Sequence, residues 1–212
     1  MLSMKLLCRL VALCFCVLST ALCAALPPPA ISAADAKPLA VGVHAPGATL
    51  TDTEGAVVDL AATLAGKPTV LVFYRGSWCP FCNRQLAALG ELEPQLLALG
   101  YQILAVSPDS AEGLKKMAGK NRLDYRLLSD RNMVASSAYG VAFRISPEIE
   151  KAYRGHGIEL APVPGGEGVW LPVPAVFIVG RDGVIRFSFS NPDYKVRLAN
   201  DALLAAAEAA AK

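Results

Sequence analysis

Apolar residues in this chain fall in short blocks whose internal spacing separates strands from helices. Pro68 to Tyr74 (PTVLVFY) and Tyr101 to Val106 (YQILAV) are β-rich apolar runs, the pattern of strands covered on both faces. Between them Leu86, Leu89, Leu92, Leu96 and Leu97 recur at helical spacing over Cys82 to Leu99. Pro94 inside that pattern predicts a kink, and Gly100 a stop. Pro46 to Leu60 reads as a hairpin turning at Thr53-Glu54-Gly55, and Tyr125 to Leu128 as a short strand. Ala175 to Val179 and Val184 to Phe189 form a second hairpin about Gly180-Arg181-Asp182-Gly183. Helices are expected over Ser110–Gly119, Met133–Gly140 and Pro147–Tyr153, and an Ala/Leu-rich terminal helix over Val196–Lys212. Gly155 to Leu171 has no clear period, and its Gly165-Gly166-Glu167-Gly168 reads as a mobile loop. Strands alternating with helices predict an α/β domain, a central sheet flanked by α-helices with an N-terminal β-hairpin.

The first residues follow a different rule. Lys5 and Arg9 precede a run from Leu10 to Ala25 that is apolar apart from Ser19 and Thr20, and small residues and Pro27-Pro28-Pro29 follow. This is the pattern of an export signal over residues 1–26, with an uncleaved membrane anchor as the alternative. The Ala/Pro-rich stretch 27–40 reads as a linker, leaving 41–212 as one domain. The expected location is exported, periplasmic or extracellular. A membrane partner is expected only if the N-terminal segment stays attached.

Composition narrows the function. The formal net charge is +2 with no basic tract, which argues against nucleic-acid binding. Of six cysteines, Cys8, Cys14, Cys16 and Cys23 lie in the signal-like segment, leaving Cys79-Pro80-Phe81-Cys82 to a processed protein. A disulfide closing so short a loop constrains an unfolded chain little, so the pair suits redox chemistry better than stapling. A strand leading into a helix at Cys79 puts this thiol among unpaired N–H groups and the positive end of the helix dipole, which favour a thiolate. Pro80 suits the first helical turn, and Cys82 shares the face of Cys79. Cys79 is then the attacking thiol, and Cys82, more buried, the resolving one. Arg75 either adds positive charge beside the thiolate or is a solvated loop residue; Trp78 either shields the sulfur or simply packs. A zinc site needs four ligands, and neither His44 nor His156 has motif spacing to the cysteines, so no metal or cofactor is expected.

The segment Phe73-Tyr74-Arg75-Gly76-Ser77-Trp78-Cys79-Pro80-Phe81-Cys82 resembles the active-site region of AhpC/TSA-type, peroxiredoxin-like proteins of the thioredoxin superfamily. The resemblance continues through Ser107-Pro108-Asp109, Leu127-Leu128-Ser129-Asp130, Val173-Pro174-Ala175 and Asn191-Pro192-Asp193-Tyr194, covering about Val41 to Leu198. It implies a thioredoxin-like fold with a central mixed β-sheet, and Pro174 as a cis-proline facing the cysteines. It also implies a thiol-dependent peroxidase that reduces hydroperoxides through a Cys79–Cys82 dithiol/disulfide cycle, recharged by a thioredoxin-like protein reductant. The chain departs from the family pattern in three places. Gly76 and Val72 stand where a Thr or Ser and a Pro usually stand, and Pro174 occupies a strand region that usually carries an Arg. Arg75 and Ser77 are the candidates to substitute. The alternatives are an exported ResA- or TlpA-like thiol–disulfide oxidoreductase and, less favoured, a thioredoxin-fold copper chaperone, for which the chain has no His-Met cluster.

Overall fold

The structure, a computed structural model, describes residues 27–121 and 123–211; the signal-like segment 1–26 lies outside the described residues. Its centre is a mixed seven-stranded sheet of β1 (Thr49–Thr51), β2 (Val57–Asp59), β3 (Thr69–Phe73), β4 (Gln102–Ser107), β5 (Arg126–Ser129), β8 (Ala175–Val179) and β9 (Ile185–Ser190). The spatial order is β2-β1-β5-β4-β3-β8-β9. β3, β4 and β5 run parallel, and the hairpins β1–β2 and β8–β9 join antiparallel. This is the thioredoxin-like architecture that the sequence implied.

β3 shows why its five residues read as one apolar run: all are buried. Successive side chains point to opposite faces. Val70 and Val72 join Ile103, Val176 and Ile178 on the face covered by α2 (Pro80–Ala98), α3 (Ala111–Asn121) and α6 (Asn200–Ala210). Leu71 and Phe73 join Leu104, Phe177 and Tyr139 on the other face, beside α1 (Leu60–Leu64) and α4 (Val134–Ala138). Each buried aliphatic side chain of this kind contributes about 1.5–3 kcal/mol.

Three features depart from the sequence pattern. β6 (Ala142–Arg144) and β7 (Trp170–Pro172) form a separate two-stranded sheet that no periodicity announced. Three residues are too few to display alternation, and one partner lies inside the glycine-rich stretch. That stretch is pinned by its own bonds, with Val163 N–H donating to the Gly168 carbonyl (3.1 Å) and Trp170 Nε1 to the Glu167 carbonyl (2.8 Å). The terminal helix begins at Asn200 rather than Val196, because Arg197 and Asn200 are drawn onto α2.

The stretch after the signal-like segment is packed on the domain. Ala30 exchanges backbone bonds with Ala142 and Arg144, and Leu39 N–H donates to the Tyr139 carbonyl (3.1 Å). At Gly140, with φ +70°, a Cβ would collide with the Lys37 carbonyl oxygen. Only glycine combines that dihedral with so close a crossing. Among the described residues no helix is long and apolar enough to cross a membrane.

Candidate active site

β3 delivers the chain to the carboxyl edge of the sheet, where Arg75–Trp78 turns into α2. The turn is closed by Cys79 N–H donating to the Gly76 carbonyl (3.1 Å) and by Asn83 Nδ2 donating to the Ser77 carbonyl (2.8 Å). Cys79 is the N-cap of α2, with extended backbone (φ −87°, ψ 111°), and Pro80 is the first helical residue. Cys82 sits one turn inside. Both thiols are free and buried, at 1% and 0% exposure.

Their electrostatics separate the two thiols. Cys79 is lowered from 9.0 to about 6, first by the Cys82 thiol donating to it, with help from the Cys82 backbone N–H and the guanidinium charges of Arg75 and Arg197. Burial opposes this lowering and is outweighed. Cys82 is pushed far up, first because its proton is held by Cys79 and then by burial. One negative charge and one proton are thus shared between the two sulfurs, with the charge on Cys79.

Arg75 is not a solvated loop residue: it is 4% exposed. Its guanidinium lies 4.0 Å from the ring centre of Tyr194, 4.8 Å from Trp78 and 5.5 Å from Tyr153, and it donates to the Tyr153 hydroxyl. Delocalised guanidinium charge suits such an enclosure, where the ring faces replace water. Trp78 is half-buried over the cysteine core and packs at a tilt against Tyr153 of α5 (Pro147–Gly155), with centroids 5.2 Å apart and ring planes 55° from parallel. On the other flank Phe81 meets Tyr194 edge-on at 5.7 Å. A cavity of about 180 Å³ adjoins this cage, lined mostly by apolar groups that include Phe143, Ile145, Ile149 and Pro174, with Arg75 at its wall.

Pro174 is not a cis-proline; every described peptide bond is trans. Val173 N–H donates to the Val141 carbonyl (2.8 Å), extending the β6–β7 pairing, and Ala175 enters β8 in register with Phe73 and Ser190. The chain passes straight from one ladder to the next, and Pro174 opens a strand, where its missing N–H breaks no ladder bond.

The departure at position 76 has a geometric cause, and Ser77 does not make it good. Gly76 adopts φ +145°, and a Cβ there would collide with the Trp78 indole nitrogen and lie 3.1 Å from Asp109 Oδ1. A threonine cannot occupy this position in this backbone. Ser77 is committed elsewhere: its N–H donates to Asp109 Oδ2 (2.7 Å) and its hydroxyl to Oδ1 (3.3 Å). Ser107 Oγ also donates to Asp109 Oδ2 (3.0 Å), so this carboxylate ties the active-site turn to the end of β4. Burial raises the Asp109 pKa, and these bonds oppose the rise.

Sequence reasoning missed two contributors. Tyr153 lies in a helix with no motif value. Arg197, eighteen residues beyond the Ile178–Val179 strand end, donates to Cys82 Sγ (3.4 Å) and to Gln85 Oε1 (2.8 Å). Only its following the quoted Asn191-Pro192-Asp193-Tyr194 segment could have drawn attention to it. His44 and His156 are exposed, and among the described residues no cluster of three or more metal-ligating side chains occurs.

A model of the AhpC/TSA family matches residues 41–188. The chain is 34% identical over 150 residues to chloroplastic peroxiredoxin Q of Sedum lineare, covering 71% of this chain and 68% of that protein. It is 29% identical over 109 residues to the thiol-disulfide oxidoreductase ResA of Bacillus anthracis, covering 51% of this chain and 62% of that one. Among the peroxiredoxin relatives the chain spans 57% to 68% of their own length. The solved structure of Xanthomonas campestris peroxiredoxin Q matches with a TM-score of 0.61 at 24% identity, over 78% of this chain and 92% of that one, a likeness of fold.

Proposed function

We propose, from the premise that this chain belongs to the AhpC/TSA family as a peroxiredoxin of the Bcp/PrxQ type, that it reduces hydroperoxides with Cys79 as attacking thiol and Cys82 as resolving thiol. The observation that carries the reading is the placement of two free, buried thiols at the start of α2, with Cys79 at the N-cap and Cys82 one turn inside, an arrangement that lowers the Cys79 pKa. A thiolate is the nucleophile, and near neutral pH this one is already formed. Its sulfur attacks the distal peroxide oxygen, an S–O bond forms, the O–O bond breaks, and the leaving alkoxide or hydroxide takes a proton to become alcohol or water. Cys82 then attacks the sulfenic sulfur, a disulfide forms, and water leaves.

The family implies a peroxide substrate and a thiol reductant. We take the reductant to be a thioredoxin-like dithiol protein, and the place of action to lie outside the cytoplasm, as the signal-like residues 1–26 suggest. With Gly76 barred from carrying a hydroxyl and Ser77 held by Asp109, the positive charges near the thiolate come from Arg75 and Arg197.

A second reading, thiol–disulfide exchange on a protein substrate, is favoured by the Cys-Pro-Phe-Cys motif at the helix start and by the likeness to ResA. Peroxide consumption and insulin-disulfide reduction, measured side by side on the purified protein, separate the two. Peroxide turnover lost in Cys79→Ser, with a sulfenic acid trapped on Cys79 in Cys82→Ser, is the expected result. Insulin reduction without peroxide turnover would replace the first reading by the second.

A further inference from the structure

The fate of Cys82 after Cys79 has reacted raises a separate question. In the resting pair Cys82 keeps its proton because Cys79 holds the negative charge. Oxidation of Cys79, to a sulfenic acid or a mixed disulfide, removes that anion. Cys82 must then ionise and attack while wholly buried, and an uncompensated buried anion is costly. Some cation has to face it.

The groups facing Cys82 are few. Cys79 and the backbone N–H of Arg75 lie on the turn before α2, Tyr74 packs beside it from the end of β3, and Arg197 approaches from the segment between β9 and α6. The Arg75 guanidinium is committed to its three rings and the Tyr153 hydroxyl. Tyr74 is a neutral phenol whose ionisation burial suppresses, so it offers no positive charge. Arg197 alone among these places a charged donor on the sulfur, with Nη2 3.4 Å from Cys82 Sγ. It is aimed there. Nη1 is fixed to Gln85 Oε1 (2.8 Å), and Asn200 Nδ2 staples the following turn to the Ala88 carbonyl (2.6 Å). Among the described residues its Nε is buried without a partner, which would cost stability with no return if the side chain merely packed.

We propose that Arg197 serves the resolving step: its guanidinium holds Cys82 toward Cys79 and stabilises the Cys82 thiolate that forms once Cys79 has been oxidised. In that step the Cys82 proton leaves to solvent, its sulfur lone pair forms the S–S bond, and hydroxide or a substrate thiolate departs from the Cys79 sulfur. The guanidinium stays charged throughout, and the hydrogen bond to sulfur strengthens as the acceptor becomes an anion. The inference rests on the proposed order of the two cysteines and holds whether a peroxide or a disulfide oxidises Cys79.

Reduced protein mixed with an aromatic disulfide that releases coloured thionitrobenzoate gives two phases, Cys79 attack and then Cys82 attack. In Arg197→Met the second phase should slow at least about tenfold near neutral pH, with its pH midpoint moved upward, while the first changes by no more than about threefold. Arg197→Lys, which keeps the charge, should recover most of the second phase and its midpoint. Run in parallel with peroxide, Arg197→Met should accumulate sulfenic acid on Cys79 and Arg197→Lys much less of it. An Arg197→Met protein with native circular dichroism and an unchanged second-phase midpoint would overturn the proposal, as would equal slowing of both phases or a Lys variant no better than Met. A wild type inert to peroxide that still shows the Arg197 effect with the aromatic disulfide would reject the peroxidase reading and leave this inference standing.

Discussion

If the Cys82 thiol is the chief reason Cys79 is acidic, deleting that thiol should return Cys79 toward an ordinary cysteine. The lowering from 9.0 to about 6 corresponds to about 4 kcal/mol of preference for the thiolate, at about 1.4 kcal/mol per pH unit. The Cys82 S–H is the largest contributor, ahead of its backbone N–H, Arg75 and Arg197. Cys82→Ala removes that donor and keeps the other three, so the Cys79 midpoint should rise by about one to two pH units. At pH 7 the wild-type thiol is about nine-tenths ionised; the variant should be about one-half to one-tenth ionised, and alkylation by iodoacetamide should slow about two- to tenfold. The assay is that alkylation rate between pH 4 and 10, checked by mass on Cys79. Cys82→Ser, whose hydroxyl can still donate, should fall between the two. The linkage has a definite sign. A folded pKa below the unfolded one stabilises the fold fully above the unfolded value, and that contribution fades as pH falls from about 9 to about 6. Reduced wild type should therefore lose more stability over this window than Cys82→Ala. A Cys82→Ala midpoint still at about 6 would refute the argument and leave the helix start and the arginines as the cause.

Asp130 accepts from Ala135 N–H, Ser136 N–H and Ser136 Oγ at 2.7–3.1 Å and is 2% exposed, so Asp130→Ala strands three donors at the start of α4. It should cost about 2–4 kcal/mol in urea unfolding, and a loss below about 0.5 kcal/mol would count against the packing described. Gly140→Ala forces a β-carbon against the Lys37 carbonyl at positive φ and should cost about 2–4 kcal/mol or free the segment before residue 41 to proteolysis; a variant as stable and as resistant as wild type would contradict that crossing.

Local pattern alone was enough for the sheet strands, the hairpins and α2, because their signals are carried by neighbouring residues: the runs at Thr69–Phe73 and Gln102–Ser107, the leucine spacing, the turn at Glu54-Gly55. It was equally enough for the two thiols, since a strand, a short turn and Pro80 suffice to place Cys79 at a helix start. Its family likeness also carried the wrong expectation of a cis bond at Pro174, which the β6–β7 and β8 ladders make trans. The short β6–β7 pair could not be read, because three-residue strands 28 positions apart in their first residues hold together only through each other.

The sequence by itself determined where the two thiols of the candidate site lie, for a helix terminus and a two-residue spacing are both local. The tertiary structure alone decided their environment. It closed Tyr153 and Tyr194 around Arg75, bound Ser77 to Asp109, and brought Arg197 to Cys82 from 115 positions away. The reason is physical: a thiol's acidity depends on the charges and donors within a few ångströms of it, and chain folding, not sequence neighbourhood, sets those distances.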